Sequence, residues 1–331
     1  MAKPLAASPP EGADKLRVRI GLSLERLDPV LDALFLWRPI LLIPAWIAAA
    51  AGLSAGQWVN QPDLIWHTEW SWRSLLMFTG LSLTVGASFA RGQLAQGASP
   101  EKGHPRIRDW AWGLDAFERR LTWTGLGLGL VLLLPAGWLA LAWAGVTFLL
   151  WGVLFSRAPA FWRDRPALET AVHSLAATTL FLVGWAASGA PWSRSMVLAA
   201  PYMLAFAGIG VHFALLAGPG ELATASRPST RQVATASAVA MVLTLAAALW
   251  GSRNGDPVIA TAATLTLPFY LVALVYKRER DLVRSGHYAI LIGGIFVGAR
   301  YPWLYPPIIA VFYLSRFYYK RRLGTVHPSL S

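Results

Sequence analysis

Ten apolar runs, most of roughly 14 to 22 residues with few or no charges, set the terms for anything this chain can fold into. A hydrocarbon core of ~30 Å takes about 20 helical residues to cross, so most of these runs can span a membrane. They read Leu34 to Ala55, Ser74 to Ala90, Leu121 to Leu134, Trp138 to Phe155, Leu168 to Ala187, Met196 to Ala217, Val233 to Trp250, Val258 to Tyr276, His287 to Gly298 and Trp303 to Phe317. The last two are short and separated by Arg300 and Pro302, which allows one broken hairpin in place of two full spans.

Sorting the 29 Lys and Arg residues by alternate connections gives a lopsided result. Twenty-five fall on the side shared by the amino-terminal arm, the even-numbered loops and the carboxyl end; only Arg73, Arg194, Arg253 and Arg300 fall on the other. Cytoplasmic loops retain positive charge during insertion, so in an all-α bundle of about nine to ten transmembrane helices the split supports an even number of crossings with both termini cytoplasmic, as in a bacterial inner membrane. A miscounted span scrambles such a pattern.

Composition agrees: 55% of residues are apolar and 14% charged, against about 25% charged in soluble domains. The net charge of +12 belongs to topology and not to nucleic acid, because it lies in short clusters between apolar runs and forms no exposed basic face. The absence of cysteine excludes disulfides, thiolate metal sites and cysteine nucleophiles. Seventeen tryptophans, with Trp58, Trp66, Trp70 and Trp72 crowding one outer loop, suit an interfacial belt. The expected organisation is a disordered tail over 1–14, an amphipathic interfacial helix over 15–33 bent near Pro29, a transmembrane domain over 34–318 and a cytoplasmic tail over 319–331. The second cytoplasmic loop, Arg91 to Arg120, is the longest, and long loops in compact proteins usually carry function.

Four stretches carry a resemblance. Gly86-Ala87-Ser88-Phe89-Ala90-Arg91-Gly92-Gln93-Leu94-Ala95-Gln96 closes the second span. Phe155-Ser156-Arg157-Ala158-Pro159-Ala160-Phe161-Trp162-Arg163-Asp164-Arg165-Pro166 follows the fourth, Arg38-Pro39 opens the first, and Ser315-Arg316-Phe317-Tyr318-Tyr319-Lys320-Arg321-Arg322-Leu323-Gly324 ends the last. In this order and these places they resemble the UbiA superfamily of intramembrane prenyltransferases. That resemblance implies a helical bundle around a central, cytoplasm-facing cavity. It also implies two Asp-rich loops whose carboxylates hold Mg²⁺ against the diphosphate of an isoprenoid donor, neutralising the leaving group.

The chain departs from the pattern where the metal is held. The first Asp-rich motif falls on Gly92, Gln93, Gln96 and Pro100, of which only Gln93 matches. The second falls on Pro219 to Ala223, where Glu221 alone remains. The nearest acids, Glu101 and Glu221, give one carboxylate per loop, a poor cage for Mg²⁺ and a diphosphate. What is left at the mouth is basic. Arg91, Lys102, Arg106, Arg163, Arg165, Arg227 and Arg231, with Gln93, Gln96 and Glu221, are the candidate substrate-binding residues. They suit an isoprenoid diphosphate or other anionic lipid head group held directly, with no metal and no standard prenyl transfer.

Three alternatives stay open. An active transferase would use Glu101 and Glu221 as candidate catalytic residues, with Mg²⁺ as cofactor. A transporter would show intramembrane acids or paired broken helices, and the spans contain essentially no Asp or Glu. A scaffold docking another membrane protein is compatible with the metal-free reading. His173 and His212 lie within spans, where each is expected to bond a neighbouring helix. Glu169 is positioned to pair with Arg163 or Arg165. Gly125, Gly127 and Gly129, two apart, lack the four-residue spacing of close helix packing, which Gly293, Gly294 and Gly298 fit better.

Overall fold

The computed structural model describes residues 28–60, 71–95, 114–155, 165–216 and 229–323, and every described element is helical. In chain order they are α1 (Asp28–Leu36), a 3-10 turn (Pro39–Leu41), α2 (Leu42–Asn60), α3 (Trp72–Ala95), α4 (Leu114–Leu133) and α5 (Trp138–Phe148). A π-helical turn (Leu149–Leu154) follows, then α6 (Pro166–Ser188), α7 (Ser195–Leu216), α8 (Thr230–Arg253), α9 (Pro257–Tyr276), α10 (Glu279–Arg300) and α11 (Tyr305–Leu323).

Seven stretches are long and apolar enough to cross a membrane: Pro39–Asn60, Trp72–Gly92, Ala167–Ser188, Trp192–Val211, Thr230–Arg253, Pro257–Tyr276 and Glu279–Arg300. The other three expected segments are helical as well. Trp138–Leu154 is shorter, and α4 and α11 each carry a cluster of charges at one end. Leu128, Val131, Val242, Leu249, Val275 and Ile309 face outward and exposed, a surface that hydrocarbon solvates better than water.

The first expected run, Leu34 to Ala55, is not one helix. Helix α1 runs across the expected boundary to Leu36, and the chain then turns at Arg38, which takes a left-handed conformation (φ 46, ψ 61). Pro39 cannot donate a backbone hydrogen bond, so the new helix starts there with nothing lost. Pro29 sits in the first turn of α1, a position that tolerates proline.

Helix α2 is the spine. It packs on α6, α10, α3 and α7, and the run Ala48 to Gly56 is buried. Small residues permit this: a methyl on Gly52 would overlap the Phe181 carbonyl oxygen, and one on Gly184 the Ala49 carbonyl oxygen. Without a hydrophobic drive between helices in lipid, such close backbone approach supplies the packing energy.

The α3–α4 seam uses the same device and corrects the sequence expectation. A methyl on Gly129 would lie 2.6 Å from Thr84 Oγ1 and 2.7 Å from the Gly80 oxygen, whereas Gly127 faces open space. Gly125 and Gly129 are four apart; the interposed Gly127 hid that spacing. Gly293 and Gly294 pack on Ile47 and Gly298 admits the Tyr305 ring, as expected of them.

One end of the bundle is closed by tight turns. There Tyr202 donates to Asp256 Oδ2 (3.0 Å), Tyr301 donates to Gln57 Oε1 (2.8 Å), and Asn60 Nδ2 donates to the Ser188 oxygen (3.2 Å). Asp256 also caps α9 by accepting from the backbone N–H of Val258 and Ile259, and the buried Arg300 lies close enough to interact with it. The helix ends that carry Arg91, Arg165 and Arg231 lie at the opposite, basic end.

Candidate functional site

At the basic end the described parts of the four resemblance stretches converge. Helix α1 docks on the end of α11: Tyr318 stacks on Phe35 with ring centroids 3.7 Å apart and donates to the buried Asp32 Oδ1 at 2.8 Å. Tyr319 meets Phe35 edge-on, and Arg38 lies near Tyr319. The Trp37 indole then inserts between α3 and α4, where Gly86 and Gly125 leave room for it; a methyl on Gly86 would lie 2.5 Å from Trp37 Cε3. Next to Gly86, the Ser88 backbone meets Gly152 of the π turn, whose missing side chain lets α3 and that turn touch.

The π turn is an insertion in the helical ladder, with Phe155 N–H bonding the Leu150 oxygen at 2.8 Å. Such turns recur at functional sites because they re-aim side chains. Here the turn carries Trp151, which packs on Phe89 (5.2 Å between centroids) and donates its indole N–H to His173 Nδ1 at 3.0 Å. His173 therefore bonds a neighbouring helical segment, as expected. The acid near it is Glu169, buried in the first turn of α6, with Oε1 3.9 Å from His173 Nε2. Among the described residues that contact is with the imidazole one turn along, and Arg163, one of the two partners the sequence suggested, lies outside them.

Arg91, in the last turns of α3, is half-buried with its guanidinium 5.4 Å from the Trp123 ring centroid, a cation–π arrangement. Arg165 is the exposed residue preceding α6, and Arg231 is exposed in the first turn of α8. The starts of α6 and α8 reach the same region through α7: Thr170 meets Gly210, and Val211 packs against Val233. Three candidate cations thus stand on helix ends around one region. Gln93 lies on the last turn of α3, with its side chain outside the described residues. Gln96, Glu101, Lys102, Arg106, Arg163, Glu221 and Arg227 lie outside the described residues, as does the side chain of His212.

Among the described residues no three His, Asp or Glu side chains come together as metal ligands. The described acids of the basic end are Asp32, engaged by Tyr318, Glu279 and Asp281 in the first turn of α10, and Glu169 beside an imidazole whose Nδ1 is already engaged. Mg²⁺ prefers several hard oxygen ligands in octahedral array, so these described side chains do not make a Mg²⁺ site.

Sequence reasoning missed Glu169 and His173 as a unit. The signal was present, an acid and an imidazole four apart in an apolar run, but the partner that orients the ring comes from another helix.

No protein-family model matches the sequence, and no curated protein matches it in sequence. Two solved structures are similar in fold. One is a digeranylgeranylglyceryl phosphate synthase of membranes, with a TM-score of 0.53 at 14% identity, covering 84% of this chain and 98% of that one. The other is a UbiA homologue from Archaeoglobus fulgidus bound to GPP and Mg²⁺, with a TM-score of 0.50 at 16% identity, covering 85% of this chain and 99% of that one. At these identities the likeness speaks for architecture, and it extends over nearly the whole of both neighbours. This integral membrane protein has the fold of the UbiA superfamily of intramembrane prenyltransferases.

Proposed function

We propose that the protein binds the phosphate or diphosphate head group of an isoprenoid or other anionic lipid at its basic, cytoplasm-facing end, without Mg²⁺-assisted ionisation. The observation that supports this reading is the sequence pattern that assigns 25 of the 29 Lys and Arg residues to the connections expected on one side, in a chain with a UbiA-type fold. The loops there match the family's aspartate positions with Gly, Gln and Pro. Guanidinium and ammonium groups bind phosphate oxygens through charge-assisted hydrogen bonds and need no bridging cation. Arg91, Arg165 and Arg231 supply charge from helix ends, and Lys102, Arg106, Arg163 and Arg227 supply it from the loops.

Flotation of the purified protein with vesicles containing 5 mol% of a prenyl phosphate tests the reading. Reversing Lys102, Arg106 and Arg227 to Glu is expected to lower binding at least tenfold, and raising salt from 0.1 to 1 M is expected to weaken it as the Debye length falls from about 10 to about 3 Å. Binding indifferent to both changes would remove the basic cluster from the account.

A second reading has a specific observation in its favour, since the Archaeoglobus neighbour holds GPP with Mg²⁺. In it, Glu101 and Glu221 hold the metal and the protein moves a prenyl group to a lipophilic acceptor. Transfer from a labelled prenyl diphosphate that requires Mg²⁺ and fails in Glu221→Gln would establish it over the first.

A further inference from the structure

Helix α4 stands at the edge of the bundle. It packs chiefly on α3 and touches α5 little, although a tight turn joins α4 to α5. Its far face is therefore turned to the bilayer, with Thr124, Gly127, Leu128 and Val131 exposed along it. Between α4 and α5 runs a shallow groove floored by α3.

Three arginines meet where this groove reaches the basic end. Helices α3 and α4 run antiparallel, with Gly80 and Thr84 against Gly129 and with Gly86 across the Trp37 ring from Gly125, so Arg91 comes level with Arg119 and Arg120. Arg119 and Arg120 are exposed, one turn before Trp123 on the same side of α4. The two acids of that helix, Asp115 and Glu118, fall instead in helical register with the buried Thr122 and Gly125. Trp123 bridges the groove: it is 51% exposed, its ring lies 6.0 Å from that of Phe148 on α5, and the Arg91 guanidinium stands 5.4 Å from its centroid. Stacking engages the flat face of a guanidinium and leaves the N–H groups on its edge to donate in the plane. Arg91 Nε is buried, and among the described residues no acceptor reaches it.

The chemistry selects the occupant. Arg91 is next to the last residue of the span Trp72–Gly92, the depth at which hydrocarbon gives way to head groups. Beside the arginines lies apolar surface, Leu128 and Val131 on α4 and Leu149 and Val153 on the π turn, all exposed. A molecule with an anionic phosphate and long acyl chains covers both parts. A soluble acidic peptide or free phosphate reaches the arginines and leaves the apolar strip bare. We infer that the basic end of the α4–α5 groove is a binding site for an anionic glycerophospholipid of the surrounding leaflet, its phosphate held by Arg91, Arg119 and Arg120 and an acyl chain lying against Trp123. Trp123 is the positioning residue, holding the Arg91 guanidinium flat. The site goes beyond the prenyl phosphate reading, to which Arg91 lends charge and the groove contributes nothing.

The test is native mass spectrometry of the full-length, delipidated protein titrated with phosphatidylglycerol or phosphatidylcholine. One phosphatidylglycerol should bind about tenfold more tightly than phosphatidylcholine. Arg91→Gln should weaken it about fivefold, the weight of one cation beside an anionic head group. Trp123→Leu keeps an apolar side chain without the stacking face and should weaken it about threefold. Arg316→Gln removes the same charge from an exposed position on α11 and should leave the affinity within about twofold. Phosphatidylglycerol with a diazirine in its acyl chain should label the wild-type protein around positions 119–131 and 148–153, a readout independent of whether the variants fold. Millimolar geranyl diphosphate or inorganic phosphate should leave the phospholipid bound. Equal affinity for the two phospholipids, equal losses in Arg91→Gln and Arg316→Gln, labels spread evenly over the spans, or displacement by geranyl diphosphate would each overturn the site.

Discussion

The same substitution made at two glycines should move stability in opposite directions. Gly184 lies where α6 presses on α2, and a methyl there would overlap the Ala49 oxygen while lying 2.7 Å from the Leu53 nitrogen and 2.8 Å from the Ala49 carbon. All three are backbone atoms of one helix, so no side chain can turn away; the helices must part by about an ångström. Overpacking a core costs about 1–3 kcal/mol, and a rigid backbone obstacle puts Gly184→Ala at the upper end, about 3 kcal/mol. Gly127 lies mid-helix with nothing within 4 Å, so Gly127→Ala meets no obstacle and gains up to about 1 kcal/mol from helix propensity. At roughly 3 °C per kcal/mol, the melting temperature in detergent should fall by about 9 °C for Gly184→Ala and rise by about 3 °C for Gly127→Ala. Tryptophan fluorescence on heating reads both. Equal shifts, or an unchanged Gly184→Ala, would refute the α2–α6 seam as the close contact that organises the bundle.

Lys277 caps α9 in a left-handed conformation (φ 53, ψ 34) that costs a side chain about 1–2 kcal/mol, so Lys277→Gly should raise the melting temperature by about 2 °C after its own entropy cost. Replacing Trp37 with Ala empties the space between Gly86 and Gly125 and should cost about 3 kcal/mol, read as a lower melting temperature and faster proteolysis of the amino-terminal arm. Burial raises the Asp256 carboxyl above its ordinary 3.8, against hydrogen bonds from Tyr202 and two backbone N–H groups and the charge of Arg300. Its contribution is therefore complete below about pH 3.8 and lost as pH rises through the raised value, so wild type should lose stability across that window and Asp256→Asn should show a flatter pH profile of melting temperature.

The helical fold was legible because its signals are long-range averages. Apolar runs of spanning length survive errors of a few residues, and the charge split depends on 29 residues together. What stayed hidden depends on atoms from two helices at once. Arg38 breaks the first apolar run through a backbone conformation that an Arg-Pro pair does not announce. Gly129 packs on Gly80 and Thr84 across a seam invisible from α4 alone. His173 was recognised as a helix-to-helix contact, but the Trp151 donor that fixes its proton sits on a π turn that no periodicity reveals. Nothing in the sequence singles out Asp256, although burial beside Tyr202 and Arg300 makes it part of the closure of the tight-turn end.

The direct test of the central claim is calorimetric titration of the purified protein with geranyl diphosphate, once in EDTA and once in Mg²⁺. Direct capture by arginine and lysine predicts the same affinity within about threefold in both buffers, with no diphosphate released. Binding confined to the Mg²⁺ buffer, or diphosphate released there, would show that carboxylates still hold a metal at this mouth.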